Sequence, residues 1–369
     1  MSLLLRFVAL FVFVNGCLAA ASTINVPAQQ PTIQAGINAA VTGDTVVVAP
    51  GTYAENINFN GKGITVKSSK GAATTIIDGG NLGPVVTFAS NEGPTSILQG
   101  FTIQHGSGNN GGGIFVSFAS PIITNNRITK NTAGIGGGIF IGGTSTASVL
   151  RNTITANTAT NFGGGLALYL AGGPTVENNR FSGNIGTLQG GAISMIGETD
   201  EIIVQNLMTG DIAPTGIELY SFMAQSKTGF RLVNNTFVTR SGGGQGVVVT
   251  DGANANAQLY NNLIISPVDQ IALLCNPTYA GGPPVVGFND AFDKGIVPYS
   301  GSCIGFSGTN GNVSVDPKFV NQVAGNYKLS AASPAINAGT NSAPDLLKKD
   351  FAFKPRIDGG TIDIGAYEY

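Results

Sequence analysis

The sequence predicts an all-β chain, a single-stranded right-handed parallel β-helix of stacked coils with a short capping helix at its N-terminal end. Three observations carry this. An apolar anchor recurs at a nearly constant interval, an Asn stands two residues before it, and Gly-rich runs repeat with the same period.

In chain order, residues 1–21 read as a signal peptide. Arg6 supplies a positive charge, Phe7 to Val14 a short apolar stretch, and Ala19-Ala20-Ala21 a small-residue cleavage site before Ser22. Val14-Asn15-Gly16-Cys17 is a competing lipid-attachment pattern that would leave Cys17 modified. No other stretch is long and apolar enough to be transmembrane.

A stack of coils exposes an apolar end that must be covered. Thr32 to Val41 is expected to do this as an amphipathic helix, with Ile33, Ile37 and Val41 on one face, Pro31 before it and Gly43-Asp44 after it. Thr45 to Val48 then begins the first strand.

The coils follow, within a body spanning 22–330. The anchors Ile103, Ile128, Ile154, Phe181, Met208, Phe237 and Ile264 follow one another at nearly equal intervals, the shortest from Ile103 to Ile128 and the longest from Met208 to Phe237. Asn126, Asn152, Asn179, Asn206, Asn235 and Asn262 precede six of them in one register and are expected to form a ladder of side-chain amides. Gly runs starting at Gly111, Gly136, Gly163 and Gly190 each lead into a short strand whose first and third residues should face inward, as in Ile114-Phe115-Val116. A third register, Asn131, Asn157, Asn184 and Asp211, reads as a turn position with Asx hydrogen bonds. Leucine-rich repeats share the period but need several Leu at fixed positions, and propeller blades are longer.

Composition agrees. Gly is 54 of 369 residues, Trp is absent and charged residues are 10%, against roughly 25% in an average soluble chain. The net charge of −2 comes with no Lys/Arg cluster, so nucleic acid is not an expected partner. Residues 280–315, with Gly, Pro and Asp, interrupt the repeat and read as a long loop plus irregular final coils. Asp290 and Asp293 within it suit turn capping or, alternatively, a cation. Cys275 and Cys303 are one coil apart, which would bring them within disulfide reach on adjacent rungs, two free thiols being the alternative.

The segment "PTIQAGINAAVTGDTVVVAPGTYAENINFNGKGITVKSS" followed by "TIIDGG" resembles the opening of right-handed parallel β-helix proteins of the pectin-lyase-like superfamily. Asp316–Gly339 and Asp358–Tyr369 are similar to the tail of exported bacterial β-helix proteins, so 331–369 is expected to be a C-terminal capping tail. The resemblance implies the fold and export. That superfamily holds lyases, hydrolases, epimerases and non-catalytic surface proteins, so activity must be read from residues.

Lyases of this fold use Asp/Glu-bound Ca2+ with an Arg or Lys base, and the hydrolases use clustered Asp. Here no Asp or Glu occurs from Gly93 to Val176, so two-carboxylate hydrolysis lacks its reagents there, and a Ca2+ site, which takes 6–8 oxygen ligands, would be poorly supplied. No cofactor and no metal ligand set is assigned. His105, the one histidine, aligns with Lys130, and with Arg127 these are the candidates for a base in β-elimination, the bland alternative being solvated turn side chains. Glu198, Asp200 and Glu201, followed by Asp211 and Glu218, form the densest acidic group. Phe115 and Phe140 should face outward on adjacent coils and, with Arg180, are the candidates for substrate binding. The resulting expectation is a monomeric secreted or cell-surface platform contacting a polysaccharide or cell-surface glycan. The alternative is a polysaccharide lyase acting on an acidic polymer in a groove along one sheet.

Overall fold

The computed structural model describes residues 20–197, 200–222, 229–239, 245–251, 256–266, 270–276, 284–295 and 297–369. Residues 1–19 of the expected leader, Cys17 among them, and Glu198 of the acidic group lie outside the described residues.

One coil shows the plan. The chain runs through Ile97–Gln99 in sheet 1, Thr102–Gln104 in sheet 2, Ser107–Asn110 in a small accessory sheet and Ile114–Ser117 in sheet 3, then returns to sheet 1 at Ile122–Thr124. Every pairing between successive coils is parallel, and among the described residues the main sheets hold eleven, ten and ten strands. The expected anchors stack directly: Ile103 pairs with Ile128, Ile128 with Ile154, Ile154 with Phe181, and so on through Met208, Phe237 and Ile264. All are buried in one continuous core. The strands are too short to stand alone, so stacking supplies both the apolar burial and the partners for the backbone amides.

The asparagines form the expected ladder. Asn152 Oδ1 accepts from the backbone N and the Nδ2 of Asn126, at 2.9 and 3.2 Å, while Asn126 Nδ2 also donates to the Leu98 carbonyl. The unit repeats through Asn179, Asn206, Asn235 and Asn262, then continues to Asn289 and Asn312. Each Asn follows a residue in the left-handed conformation, such as Asn125, Arg151, Asn178 and Gln205, so a two-residue corner joins sheet 1 to sheet 2.

The third register does more than the expected Asx turn. Asn131, Asn157, Asn184 and Asp211 are buried, and Asn157 Oδ1 accepts from Asn131 N and Nδ2 at 3.1 and 3.0 Å. This is a second interior ladder at the corner leaving sheet 2. The same dipeptide logic builds it, because the preceding residues Lys130, Ala156 and Gly183 are also left-handed. The Gly runs answer a different need. Gly136 has φ +68°, and a Cβ there would lie 2.4 Å from the Ile139 carbonyl oxygen.

Two further expectations need correction. The strand Thr23–Val26 precedes Thr45–Val48 and pairs with it, so it opens the stack. Among the described residues of 280–315 the final coils are present and regular: Val285–Gly287, Asp290–Asp293 and Tyr299–Gly301 each extend a main sheet, and the Asn ladder runs through them. Asp290 is buried there and accepts from Val315 N, whereas Asp293 Oδ1 accepts from Gly295 N as a turn cap. Cys275 and Cys303 are disulfide-bonded with Cα atoms 5.5 Å apart.

The N-terminal helix spans Ile33–Ala39, capped by Thr32, whose Oγ1 accepts from Ala35 N. Ile33 and Ile37 are buried against the first coils, but Val41 is 60% exposed. The helix ends before it, so Val41 leaves the expected face, and Asp44 Oδ2 takes its N–H. From Asp316 the chain folds back along the flank of the coils. Tyr327 packs on Leu207, Val238 and Ile265 of sheet 2, and Asn234 Nδ2 donates to the carbonyls of Asp363 and Gly365.

Candidate functional site

Each strand of sheet 2 sends its middle residue inward and its two flanking residues outward. Register therefore makes two outward columns. One is Thr102, Arg127, Thr153, Arg180 and Leu207; the other is Gln104, Thr129, Thr155, Ser182 and Thr209. Thr155 Oγ1 donates to Thr129 Oγ1 at 3.4 Å, so hydroxyls line the floor between coils.

In the first column Arg127, Thr153 and Arg180 reach solvent on three successive coils, while in the second Gln104, Thr155 and Ser182 are half-buried and Thr129 is buried. At the N-terminal side Thr102 is buried and its Oγ1 donates to the Ala72 carbonyl at 2.7 Å, under the 69–74 loop. At the other side Leu207 is buried beneath the C-terminal tail. Arg180 stands at that boundary: a side chain at Gly325 would come within 3.9 Å of its guanidinium. Tyr367 lies nearby as well. Burial pushes its phenol up, and the Arg180 charge offsets part of that. Between the boundaries Arg127 is exposed, and Thr153, Thr155, Arg180 and Ser182 are half-buried.

The corners add charge. Arg151 is exposed on the sheet 1 side of the middle coil, and Lys130 on the opposite corner of the Arg127 coil. Among the described residues, none of these four cations is in an ion pair; the pairs present are His105–Asp78 and Arg231–Asp345. The stretch without Asp or Glu from Gly93 to Val176 is what leaves them unneutralised. The face is thus a short basic trough with a hydroxyl floor, suited to carboxylate, sulfate or phosphate groups carried on a polyol.

Of the sequence-derived candidates, Arg127, Arg180 and Lys130 gather around this trough. His105 occupies the corner position equivalent to Lys130, one coil earlier, but its Nδ1 lies 2.9 Å from Asp78 Oδ2. Burial works to raise the Asp78 carboxyl, yet hydrogen bonds from Gln104, Gly80 N and His105 hold it below its usual range. Phe115 and Phe140 lie elsewhere, on the outer face of sheet 3. Their rings stack on one another at 5.6 Å and 15°, and Tyr169 stacks on Phe140 at 6.3 Å. Phe140, the middle ring, is 6% exposed, whereas Phe115 is half-buried and Tyr169 is 38% exposed at the two ends of the stack.

Of the acidic group, Glu201, Asp211 and Glu218 are buried, and no cluster of three metal-ligating side chains occurs among the described residues. Arg151 and the hydroxyl column escape a reading of the sequence that follows alternation only for the inward residues. The signal is nevertheless present, since Arg127, Thr153 and Arg180 share one offset from successive anchors.

Comparisons with known proteins agree with the β-helix fold. The family described as the right-handed β-helix region matches residues 51–221 and, in a second overlapping match, 136–310. A crystal structure of pectate lyase Pel9A is similar in fold, with a TM-score of 0.53 at 15% identity over 95% of this chain and 97% of that one. No curated protein matches the sequence.

Proposed function

The chain belongs to the right-handed β-helix family, and we propose that it is an exported or cell-surface platform that holds an anionic glycan on the outer face of sheet 2 without cleaving it. The observation that carries this is the column Arg127, Thr153, Arg180. Its two guanidiniums have no ion-pair partner among the described residues, and the coils beneath them are nearly free of carboxylates. Guanidiniums bind carboxylate and sulfate in a bidentate manner, and the Thr and Ser hydroxyls beside them match sugar hydroxyls. Exposed charge of this kind yields binding that weakens with salt.

The test is binding of polyuronate and of a neutral glucan to the mature protein, at low and high salt. Polyuronate binding lost in Arg127→Ala/Arg180→Ala, with no neutral-glucan binding, is the expected result. Retention of full affinity in the double variant would refute the proposal.

A second reading is a lyase, favoured by the fold shared with pectate lyase Pel9A and by Lys130 beside Arg127 on one coil. It requires release of unsaturated uronate product, with or without added Ca2+, that disappears in Lys130→Ala.

A further inference from the structure

We infer that the sheet 2 face selects a fully uronic, 1,4-linked chain of flat ribbon form, whose acid groups point to alternate edges on successive sugars, and that Arg151 reads the second edge. This rests on the reading of that face as an anionic-glycan site. The inference comes from two neighbouring columns. One is the sheet 2 column Arg127, Thr153 and Arg180. The other is the corner two residues earlier, Asn125, Arg151 and Asn178. All three are left-handed, and they stack as Asn125 N donates to the Leu150 carbonyl and Arg151 N to the Glu177 carbonyl. The three coils therefore run Asn-Asn-Arg, Arg-Asn-Thr and Asn-Asn-Arg, the middle Asn being the buried ladder rung. Each coil carries one cation in this strip, and the cation changes column at every coil.

Strands on successive coils are about 4.8 Å apart, so the Arg127 and Arg180 strands lie roughly 10 Å apart, with Arg151 on the coil between them, two residues toward sheet 1. A chain that meets all three cations runs along the stack. A 1,4-linked pyranose chain whose linkage bonds are all equatorial is a flat ribbon. It advances by about one strand spacing per sugar and turns each sugar over relative to the last. Its carboxylates project from alternate edges, in the same order as the three guanidiniums. The sheet 1 edge favours the same order. Glu177, half-buried on the Arg180 coil, accepts from Asn178 Nδ2 at 2.9 Å, so that coil is acidic on the edge where the Arg151 coil is basic. A carboxylate aimed at that edge is repelled there, and one aimed at Arg180 is attracted. A diaxially linked galacturonate chain is buckled and advances less per sugar, so its acids fall out of step with the coils. A chain with an acid on every second sugar meets Arg127 and Arg180 and leaves Arg151 idle. Lys130, on the opposite corner of the Arg127 coil, lies outside the strip.

The experiment is isothermal titration of the mature protein with hexamers of β-1,4-glucuronate, of α-1,4-galacturonate and of alternating glucuronate and N-acetylglucosamine, repeated with Arg127→Ala and Arg151→Ala. The glucuronate hexamer should bind about tenfold tighter than the galacturonate hexamer, and each variant should lose about fivefold for it. Arg151→Ala should spare the alternating hexamer, which Arg127→Ala weakens. Galacturonate bound as tightly as glucuronate, full glucuronate affinity in Arg151→Ala, or an equal loss there for the alternating hexamer overturns the ribbon inference. A loss in Arg127→Ala leaves the anionic-glycan reading intact in each of those cases. Absence of binding to all three hexamers, or binding indifferent to both arginines, overturns that reading as well.

Discussion

Glu218 lies against Asp211 where the second ladder stops, and burial raises the carboxyls of both. Asp211 Oδ1 accepts from Asn184 N and Nδ2, and Glu218 Oε1 accepts from Gly210 N. Their other oxygens, Asp211 Oδ2 and Glu218 Oε2, have no further partner. Protonation of one carboxyl leaves a single negative charge at the end of the ladder, where the N–H groups of Asn184 and Gly210 donate to the pair. Burial is the main cause that raises both, Asp211 to about 6, and the Asp211 charge raises Glu218 further. Groups raised in the fold stabilise it fully below the ordinary carboxylate range and lose that contribution as pH climbs through the folded value. The protein should therefore be less stable at pH 8 than at pH 5, by on the order of 1–3 kcal/mol in urea titrations. Glu218→Gln supplies an N–H that needs no proton and should flatten much of the slope. Asp290, raised to about 7 by burial, keeps part of it.

The first ladder should be most sensitive in its middle. Asn179 accepts from Asn152 N and Nδ2 and donates to the Val149 carbonyl and Asn206 Oδ1. Asn179→Ala strands several buried groups, each costing about 1–3 kcal/mol. Asn312 at the ladder's end accepts from Asn289 and donates to the Val286 carbonyl, but passes nothing onward. Urea midpoints should fall clearly further for Asn179→Ala than for Asn312→Ala.

The helix Ile33–Ala39 has a charged group at each end. Glu55 accepts from Ile33 N and Gln34 N, and Lys62 Nζ donates to the carbonyls of Ile37, Asn38 and Ala40, each at 2.8 Å. Both charges oppose the helix dipole. Lys62→Met keeps the aliphatic stem and removes the donors, so it should cost about 1–2 kcal/mol. Hydrogen exchange should accelerate first at the helix amides, with the central coils unchanged.

The anchors and the first Asn ladder are legible because like side chains occupy one register on successive coils. The second ladder holds the same signal but reads as a turn, since Asx residues are common at both places. Asn289 lies one period after Asn262, yet the Gly and Pro residues around it suggest a loop and hide the rung. The basic trough is half legible: alternation places Arg127 and Arg180 outward. Its limits are not, because Ala72 covering Thr102 and the tail covering Leu207 are contacts between segments with no shared period.

The tail should be released by one change at Arg356. This side chain is 2% exposed, and its guanidinium donates to the carbonyls of Asp363, Gly365 and Ala366. Burial lowers it to about 10, while Glu368, Asp350 and Asp363 support its charge. Asp350 and Asp363 in turn accept from Glu368 N and Tyr369 N, which closes the last residues around the arginine. Arg356→Ala would leave the buried carbonyls of Asp363, Gly365 and Ala366 without their donors, each costing about 1–3 kcal/mol. The coils carry their own ladders, so the loss should fall on the tail alone. Trypsin should then cut early at Lys348, Lys349 and Lys354 and leave the β-helix resistant. Dye binding should report Leu207, Val238 and Ile265 uncovered on sheet 2. Uniform cleavage through the coils would instead mean that tail and stack unfold as one unit.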